Sequence, residues 1–511
     1  MRLPSREGLA TLAALAAGLA LAALPLTEAA LVAAGVGLSL AALGYPAVCL
    51  YLLAFAVPFG GLWTLSAGGL IVGGTEVLVG LLLATWLAQG VARRELKISP
   101  GALFWPLALL LAAFLVSLFD ALSLQASVKE LAKWGEVAVV YVVGTSMLRN
   151  AREAKWMLAA LLVAGTMEAA SGVYGALMRL GPPSYAILGG LVYRASGEFA
   201  QPNPFGGYVN HVWPLALALL VATVLARRRG TSAALLPLSS RWCTSPWTSL
   251  LLAIALATMM AALTLSWSRG AWLGAGLALV VMAVAGTASL LVSVSEADRH
   301  TGRRAAGVLL VGAVLLAATG ILGAADLLPS AITDRLGSIM EDVVVVQDVR
   351  TVKVTDENYA AVERVAHWWA GWRMWEEHPL TGVGLGNYAV AYPQYNLPGW
   401  EDPLGHAHNF YINLGAETGT IGLAAYLLFL AAAMVQAAVR LVSARGEWER
   451  GLALGVLGAL IAHAVQDGLD NLWVHSLGVQ VALLLVLLQA SRTPAGIEPA
   501  APPAARAIGV G

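Results

Sequence analysis

Charged side chains are scarce in this sequence. Only 12% of its 511 residues are Asp, Glu, Lys or Arg, whereas ordinary soluble domains carry about 25%. A further 59% are hydrophobic, which is more apolar surface than one soluble core can bury. The composition therefore excludes an ordinary soluble fold. The formal net charge of zero gives no electrostatic reason to expect a nucleic-acid partner.

Cysteine is nearly absent as well. The two cysteines are Cys49 and Cys243, which the span map below assigns to a membrane span and a cytoplasmic loop. A structural disulfide between them is not expected. No C-x-x-C pair or His/Cys cluster indicates a structural zinc site, and no internal repeat is evident.

Long apolar runs dominate what is present. Because a helix needs about 20 apolar residues to cross a bilayer, these runs predict an all-α fold, a polytopic transmembrane helix bundle of about 12–14 spans. The predicted spans lie near 8–24, 29–43, 46–58, 74–91, 102–119, 131–148, 156–178, 205–225, 248–266, 270–294, 306–323, 418–438, 451–466 and 472–490. The first run is interpreted as a retained span, since no convincing cleavage site follows it.

Basic residues orient this bundle. Cytoplasmic loops collect Lys and Arg, and an N-terminus inside the cell places every basic cluster inside. The clusters are Arg93-Arg94-Lys97, Arg149-Arg152-Lys155, Arg227-Arg228-Arg229, Arg299-Arg303-Arg304 and Arg440-Arg445-Arg450. Both termini are then cytoplasmic.

Four segments follow from this orientation. We expect N-terminal transmembrane helices over 1–323, one large extracytoplasmic loop over 324–417, C-terminal transmembrane helices over 418–490 and a disordered cytoplasmic tail over 491–511. The site of any chemistry is expected on the outer face, around the large loop.

The large loop carries structure of its own. Residues Val362 to Trp375 read as an amphipathic helix, which Pro379 ends. Residues Val343 to Val346, within the stretch 341–357, can form a short strand. The many tryptophans suit a helix lying at the headgroup level.

Arg269 lies at the tip of a tight hairpin between two apolar helices. Arginine is disfavoured on the outer face and costly near lipid, so it points to a polar cavity or a bound anion. The alternative, given equal weight, is an arginine that snorkels from a helix end.

Arg364 lies one helical turn before Trp368 in the loop helix. Its planar guanidinium group can bind a phosphate through two parallel hydrogen bonds. Taken alone, the better interpretation is a surface arginine that stacks on tryptophan or pairs with a glutamate.

His406 and His408 lie just before a span. Histidine titrates near neutral pH and can accept a proton from a hydroxyl nucleophile. The alternatives are interfacial histidines that cap the helix, or two metal ligands. No third ligand is evident at helical spacing, so no metal is expected.

Two other polar groups each allow two interpretations. Lys129 and Lys133 share one helix face at the outer start of a span and can line a polar cavity or be neutralised by Glu130 and Glu136. Asp467, Asp470 and Asn471 lie in the short last outer loop, between His463 and His475. They can form a second polar cluster, but a solvated turn is the favoured interpretation.

Four motifs lie in order along the chain. They are Gly197-Glu198-Phe199 with Pro202-Asn203, Ser268-Arg269-Gly270, the segment His378-Pro379-Leu380-Thr381-Gly382-Val383-Gly384-Leu385-Gly386-Asn387-Tyr388, and the stretch from His408-Asn409 to Gly419 and Gly422. Together they resemble the O-antigen ligase/polymerase family, and the last stretch matches that family's spacing without gaps. About fourteen spans exceed the family's usual dozen.

The resemblance implies a membrane glycosyltransferase of the bacterial plasma (inner) membrane. Members transfer a glycan from an undecaprenyl-diphosphate carrier to an acceptor hydroxyl on the outer side, without a metal or cofactor and with inversion. It implies His408 as the general base and Arg269 and Arg364 as diphosphate-binding residues. Further candidates for substrate contact are Arg194, Asn203, His406, Asn409, Trp368 and Lys133.

Other functions stay open. A related polymerase of O-antigen or exopolysaccharide would pass the glycan to another repeat unit, and another relative would glycosylate protein. A small-solute transporter predicts mid-membrane charges and broken helices, for which Glu168 is the clearest candidate. A non-catalytic scaffold for envelope assembly would leave Arg269 and His408 unconstrained.

Overall fold

A computed structural model of the chain is 79% helical, with almost no strand. It describes residues 26–62, 64–67, 70–148, 151–187, 190, 192–228, 245–293, 299–304, 306–307, 350, 352–355, 358–444 and 446–490. The predicted first span, Cys243, the Val343–Val346 strand, most of the span at 306–323 and the C-terminal tail lie outside these residues. The predicted all-α polytopic helix bundle is confirmed.

Fourteen α-helices with defined bounds lie in the part of the chain described here, and residues 299–304 are helical as well. The first seven are α1 (Leu26–Gly44), α2 (Ala47–Phe59), α3 (Gly74–Arg93), α4 (Phe104–Ser117), α5 (Leu124–Met147), α6 (Ala151–Leu177) and α7 (Pro202–Arg228). The next seven are α8 (Pro246–Ser266), α9 (Arg269–Leu291), α10 (Tyr359–Glu377), α11 (Tyr388–Ala391), α12 (Phe410–Ser443), α13 (Glu447–Asp467) and α14 (Leu477–Ala490).

Seven of the described helices are long and apolar enough to cross a membrane. They are α3, α6, α7, α8, α9, α12 and α13. Four shorter apolar helices lie within α1, α2, α4 and α14 or extend just beyond them. Each predicted span inside the described ranges coincides with a helix, because long apolar runs leave the backbone no other way to pair its polar groups in lipid.

Two short antiparallel hairpins interrupt the helices and were not predicted. Strands β1 (Thr64–Ala67) and β2 (Leu70–Gly73) pair before α3. Strands β3 (Ala186–Ile187) and β4 (Val192–Tyr193) pair between α6 and α7. The second hairpin places Arg194, which directly follows it, beside the start of α7.

Helix α12 begins at Phe410 rather than at the predicted start of its span near 418. The Asn409 side chain caps it by accepting a hydrogen bond from the Ile412 N–H at 3.1 Å. The helix bends at Gly419, whose φ of +62° and ψ of −166° are open only to glycine. A Cβ there would collide with the Leu380 carbonyl, so the bend lets the loop before Leu385 pack on the helix.

Helix α13 packs against α7, α9 and α12. Small residues bring these backbones close, as is common between membrane helices. A Cβ on Gly274 would lie 2.6 Å from the Ala462 carbonyl oxygen, and one on Gly455 would lie 2.8 Å from Leu215 Cα. The C-terminal end of α13 is thereby held beside the ends of its neighbours.

We call the region where α7, α9 and α12 begin and where α8 and α13 end the site end of the bundle. Its loops are joined directly: the Phe410 N–H donates to the Asp470 carbonyl at 3.0 Å. The Gln466 side-chain amide donates to the Asn203 carbonyl at 2.9 Å. Helix α10 packs on α12 at this end.

Candidate active site

Arg194 occupies the segment between β4 and α7. Its Nε donates to the Ser266 carbonyl at 2.9 Å, and a terminal nitrogen donates to Asn203 Oδ1 at 3.1 Å. Its own N–H donates to the Tyr185 carbonyl at 2.9 Å. The C-terminal end of α8 and the first turn of α7 therefore fix the guanidinium group.

Three arginines converge around this position. The pKa of Arg194 is lowered to about 10, chiefly because the group is desolvated, and the charges of Arg364 and Arg269 lower it further. The neighbouring Tyr185 and Asp470 act in the opposite direction. The hairpin tip, the loop helix and the β4–α7 segment thus place guanidinium groups within electrostatic reach of one another.

Arg269 is the first residue of α9. The chain turns there because Trp267 takes the left-handed conformation, with φ of +53°, and Ser268 caps the new helix. Helix N-termini carry a partial positive charge and unpaired N–H groups, and α7, α9 and α12 all begin at this end. The site end is therefore suited to a highly charged anion.

His408 lies directly before the cap of α12, in the left-handed region at φ +53°. Its backbone N–H donates to His406 Nδ1 at 3.0 Å, and its carbonyl accepts from Trp368 Nε1 at 3.4 Å. Both nitrogens of its ring are buried without a hydrogen-bond partner among the described residues. The main chain is fixed while the imidazole is left available.

Asp470 faces this imidazole, and its Oδ1 lies 3.8 Å from His408 Nδ1. The residue is 7% exposed, so the interpretation of this turn as solvated was wrong. Burial alone would raise the pKa of Asp470, but His408, His406 and Arg364 outweigh it and hold the pKa well below its usual range. Asp470 is therefore a carboxylate at neutral pH.

Two further histidines surround His408. The ring of His406 lies 4.5 Å from it, centroid to centroid, and the ring of His367 lies 5.6 Å away. Burial lowers the pKa of both neighbours to about 4; the adjacent rings add to this, and Arg364 does so for His406. His367 also stacks on Tyr392 at 4.8 Å. Both are neutral at physiological pH.

One group of described residues could serve as metal ligands, although spacing in the sequence did not reveal it. It consists of His406, His408 and Asp470. Their nearest donor atoms all lie within 4.8 Å of one another, a geometry that can hold a transition metal. The charge of Arg364 acts on both Asp470 and His406. That cationic surrounding opposes a divalent cation, so the expectation of a metal-free site is kept as a prediction.

Asn409 and Asn203 are engaged in local structure. Asn409 caps α12 through Oδ1, while its Nδ2 donates to the Gly468 carbonyl at 2.8 Å. Asn203 accepts from Arg194, as described above. The structure gives both residues a supporting position beside the cluster.

We call Arg194, Arg269 and Arg364 the arginine cluster. Lys133 does not belong to it but lines a neighbouring cavity of about 170 Å³. Its Nζ lies 2.7 Å from Glu130, the pairing weighed from the sequence. Trp473 and His475 form part of the same cavity. A direct part for Lys133 at the diphosphate has no support from this placement.

Sequence reasoning missed the importance of Asp470 and did not single out His367. Asp470 lies 62 positions beyond His408, and no periodic pattern relates the two. The available signal was the density of Asp, Asn and His between His463 and His475. His367 offered no signal beyond its place on the buried face of α10.

The comparisons with known proteins agree with the motifs. No curated protein matches the chain. The family described as O-antigen ligase matches residues 254–427, a stretch that contains Arg269, Arg364 and His408 and ends before Asp470. The resemblance inferred from the sequence is therefore confirmed for residues 254–427, which match the O-antigen ligase family.

Proposed function

We propose that this protein transfers a glycan from an undecaprenyl-diphosphate carrier to an acceptor hydroxyl at the outer face of the bacterial inner membrane. The family match supports O-antigen ligase-like glycan transfer in general. The donor, the residue roles and the side of the membrane are our proposals. One observation carries them: three guanidinium groups lie within electrostatic reach of one another, and two of them also act on Asp470, the carboxylate that faces the imidazole of His408.

The arginines bind the anionic part of the donor. Arg194, Arg269 and Arg364 bind the diphosphate and stabilise the charge that grows on it as the sugar departs. Fixed positive charges do this without reorganisation at the moment of reaction. The N-termini of α9 and α12 act in the same direction.

His408 supplies the base. The acceptor oxygen attacks the anomeric carbon as the bond from that carbon to the diphosphate oxygen breaks, and the bonding pair leaves with the diphosphate. The acceptor's proton passes to the imidazole of His408. The Asp470 carboxylate stabilises the imidazolium formed, and attack opposite the leaving group inverts the anomeric centre.

The proposed orientation, with the site end on the outer side, is supported by the basic clusters, since cytoplasmic loops collect Lys and Arg. The acceptor separates the two closest alternatives. A ligase passes the glycan to a lipid-linked core sugar, whereas a polymerase passes it to another repeat unit and yields a ladder of lengths. A small-solute transporter would require neither donor lipid nor acceptor.

The test is transfer by the purified protein in lipid nanodiscs, with undecaprenyl-diphosphate glycan, candidate acceptors and a chelator present. We expect transfer to persist with chelator and to be lost in His408→Ala. The matched control is His300→Ala, because His300 is an exposed histidine outside the motifs that carry the family resemblance. Wild-type transfer by His408→Ala, with normal membrane insertion, would refute the proposal.

A further inference from the structure

The last turn of α13 bears two buried polar side chains that the reaction above does not use. Gln466 and Asp467 are both fully buried. Buried polar groups at membrane depth are costly and point to a function. Their contacts run in opposite directions, one toward the arginine cluster and the other toward His408.

Gln466 contacts the residues that hold Arg194 in place. Its Nε2 donates to the Asn203 carbonyl at 2.9 Å, and its Oε1 accepts from Asn210 Nδ2 at 3.1 Å. Asn203 in turn accepts from Arg194 at 3.1 Å. The amide of Gln466 therefore fixes the first turns of α7, and through them one of the three guanidinium groups.

Asp467 contacts the segment that carries Asp470, which faces His408. Its Oδ1 accepts from the Leu472 N–H at 3.1 Å. Its Oδ2 accepts from the Tyr426 hydroxyl at 2.9 Å and from Trp473 Nε1 at 3.3 Å. Two of these donors belong to the segment after α13, so the carboxylate folds that segment back and sets the position of Asp470.

Two histidines support Asp467 from within the bundle. His463 Nε2 lies 3.1 Å from Asp467 Oδ2, and His463 Nδ1 lies 3.0 Å from His211 Nε2 on α7. Both histidines are buried. The carboxylate is thereby tied to the same helix that carries Asn203.

We infer that Gln466 and Asp467 are positioning residues with separate duties: Gln466 sets the donor-binding arginine Arg194, and Asp467 sets the Asp470–His408 pair. The inference rests on the proposed function, since it divides that reaction's binding and proton-transfer steps between two adjacent side chains. A merely structural role would affect both steps together.

The test measures donor affinity and turnover in reconstituted protein for two near-isosteric variants. Gln466→Met should weaken donor binding about tenfold with a smaller loss in kcat, because Arg194 loses its fixed geometry while Arg269 and Arg364 still stabilise the departing diphosphate. Asp467→Asn should lower kcat tenfold or more with donor affinity within about twofold. Should Asp467→Asn fail to fold, Tyr426→Phe, which removes only one of the donors to Asp467, should give a smaller loss in kcat alone.

Double variants make the assignment sharper. If Asp467 acts through Asp470, then Asp467→Asn added to Asp470→Asn should lower kcat little further. Likewise Gln466→Met added to Arg194→Gln should leave donor affinity almost unchanged. Two outcomes would overturn this inference but not the proposed function, provided that His408→Ala stays inactive. One is an additive loss in either double variant. The other is an equal loss of donor affinity and of turnover in both single variants. Full activity of His408→Ala would instead overturn the proposed function and this inference with it.

Discussion

The carboxylate of Asp470 is expected to contribute strongly to turnover. Its Oδ1 lies 3.8 Å from His408 Nδ1, and unit charges at that separation interact by about 4 kcal/mol at an effective dielectric constant of about 20. The interaction exists only after His408 has taken the proton, so it stabilises the transition state rather than the bound substrate. The side chains are 20% and 10% exposed, which reduces the figure moderately.

Asp470→Asn should therefore lower kcat about 100- to 1000-fold, since each factor of ten corresponds to about 1.4 kcal/mol. Donor affinity should change little. The assay is the initial rate of glycan transfer at saturating donor, in nanodiscs, beside the control Asp402→Asn, which changes an exposed aspartate of the large loop. Turnover of Asp470→Asn within twofold of wild type, in properly inserted protein, would refute the electrostatic reasoning.

Three other outcomes are expected. Arg364→Gln should raise the donor dissociation constant at least tenfold, whereas Arg373→Gln, on the exposed face of the same helix and paired with glutamates, should not; equal effects would contradict the anion site. Gly419→Ala should destabilise the protein by about 2 kcal/mol or more, from left-handed strain and the collision with Leu380. The control Gly276→Ala, inside α9 and with open space around its Cβ, should leave stability unchanged or slightly higher in the same thermal unfolding assay. Burial lowers the pKa of His367 from 6.5 to about 4, so its stabilising contribution is present above about pH 6.5 and is lost as the pH falls toward 4. The melting temperature should drop over that window, and His367→Gln should lessen the drop; an unchanged drop would show that another group is responsible.

Hydropathy was sufficient to predict the helices, because the bilayer imposes one length and one way of pairing the backbone. It misjudged helix ends, and α12 is the clearest case. The Asn409 cap starts that helix before its apolar run begins, and the polar turns between Phe410 and Gly419 are buried by protein contacts that hydropathy ignores.

The site was predictable in part. The motifs singled out Arg269, Arg364 and His408, and the structure brings these residues to one end of the bundle. Asp470 could not be assigned, since its meeting with His408 depends on how α13 and the start of α12 pack. Lys133 illustrates the opposite error: its charge and its position at the outer start of a span made it a candidate, but it lies in a different cavity from the arginines. The functional roles, the segment boundaries and the membrane orientation stay predictions.

Donor binding and transfer, measured on the same reconstituted His408→Gln preparation, test the division between an arginine anion site and a histidine base most directly. We predict that undecaprenyl-diphosphate glycan binds with wild-type affinity while transfer falls by at least about 100-fold, the lower range expected for loss of a general base. Transfer at the wild-type rate, or a loss of donor binding as large as the loss of transfer, would contradict the account.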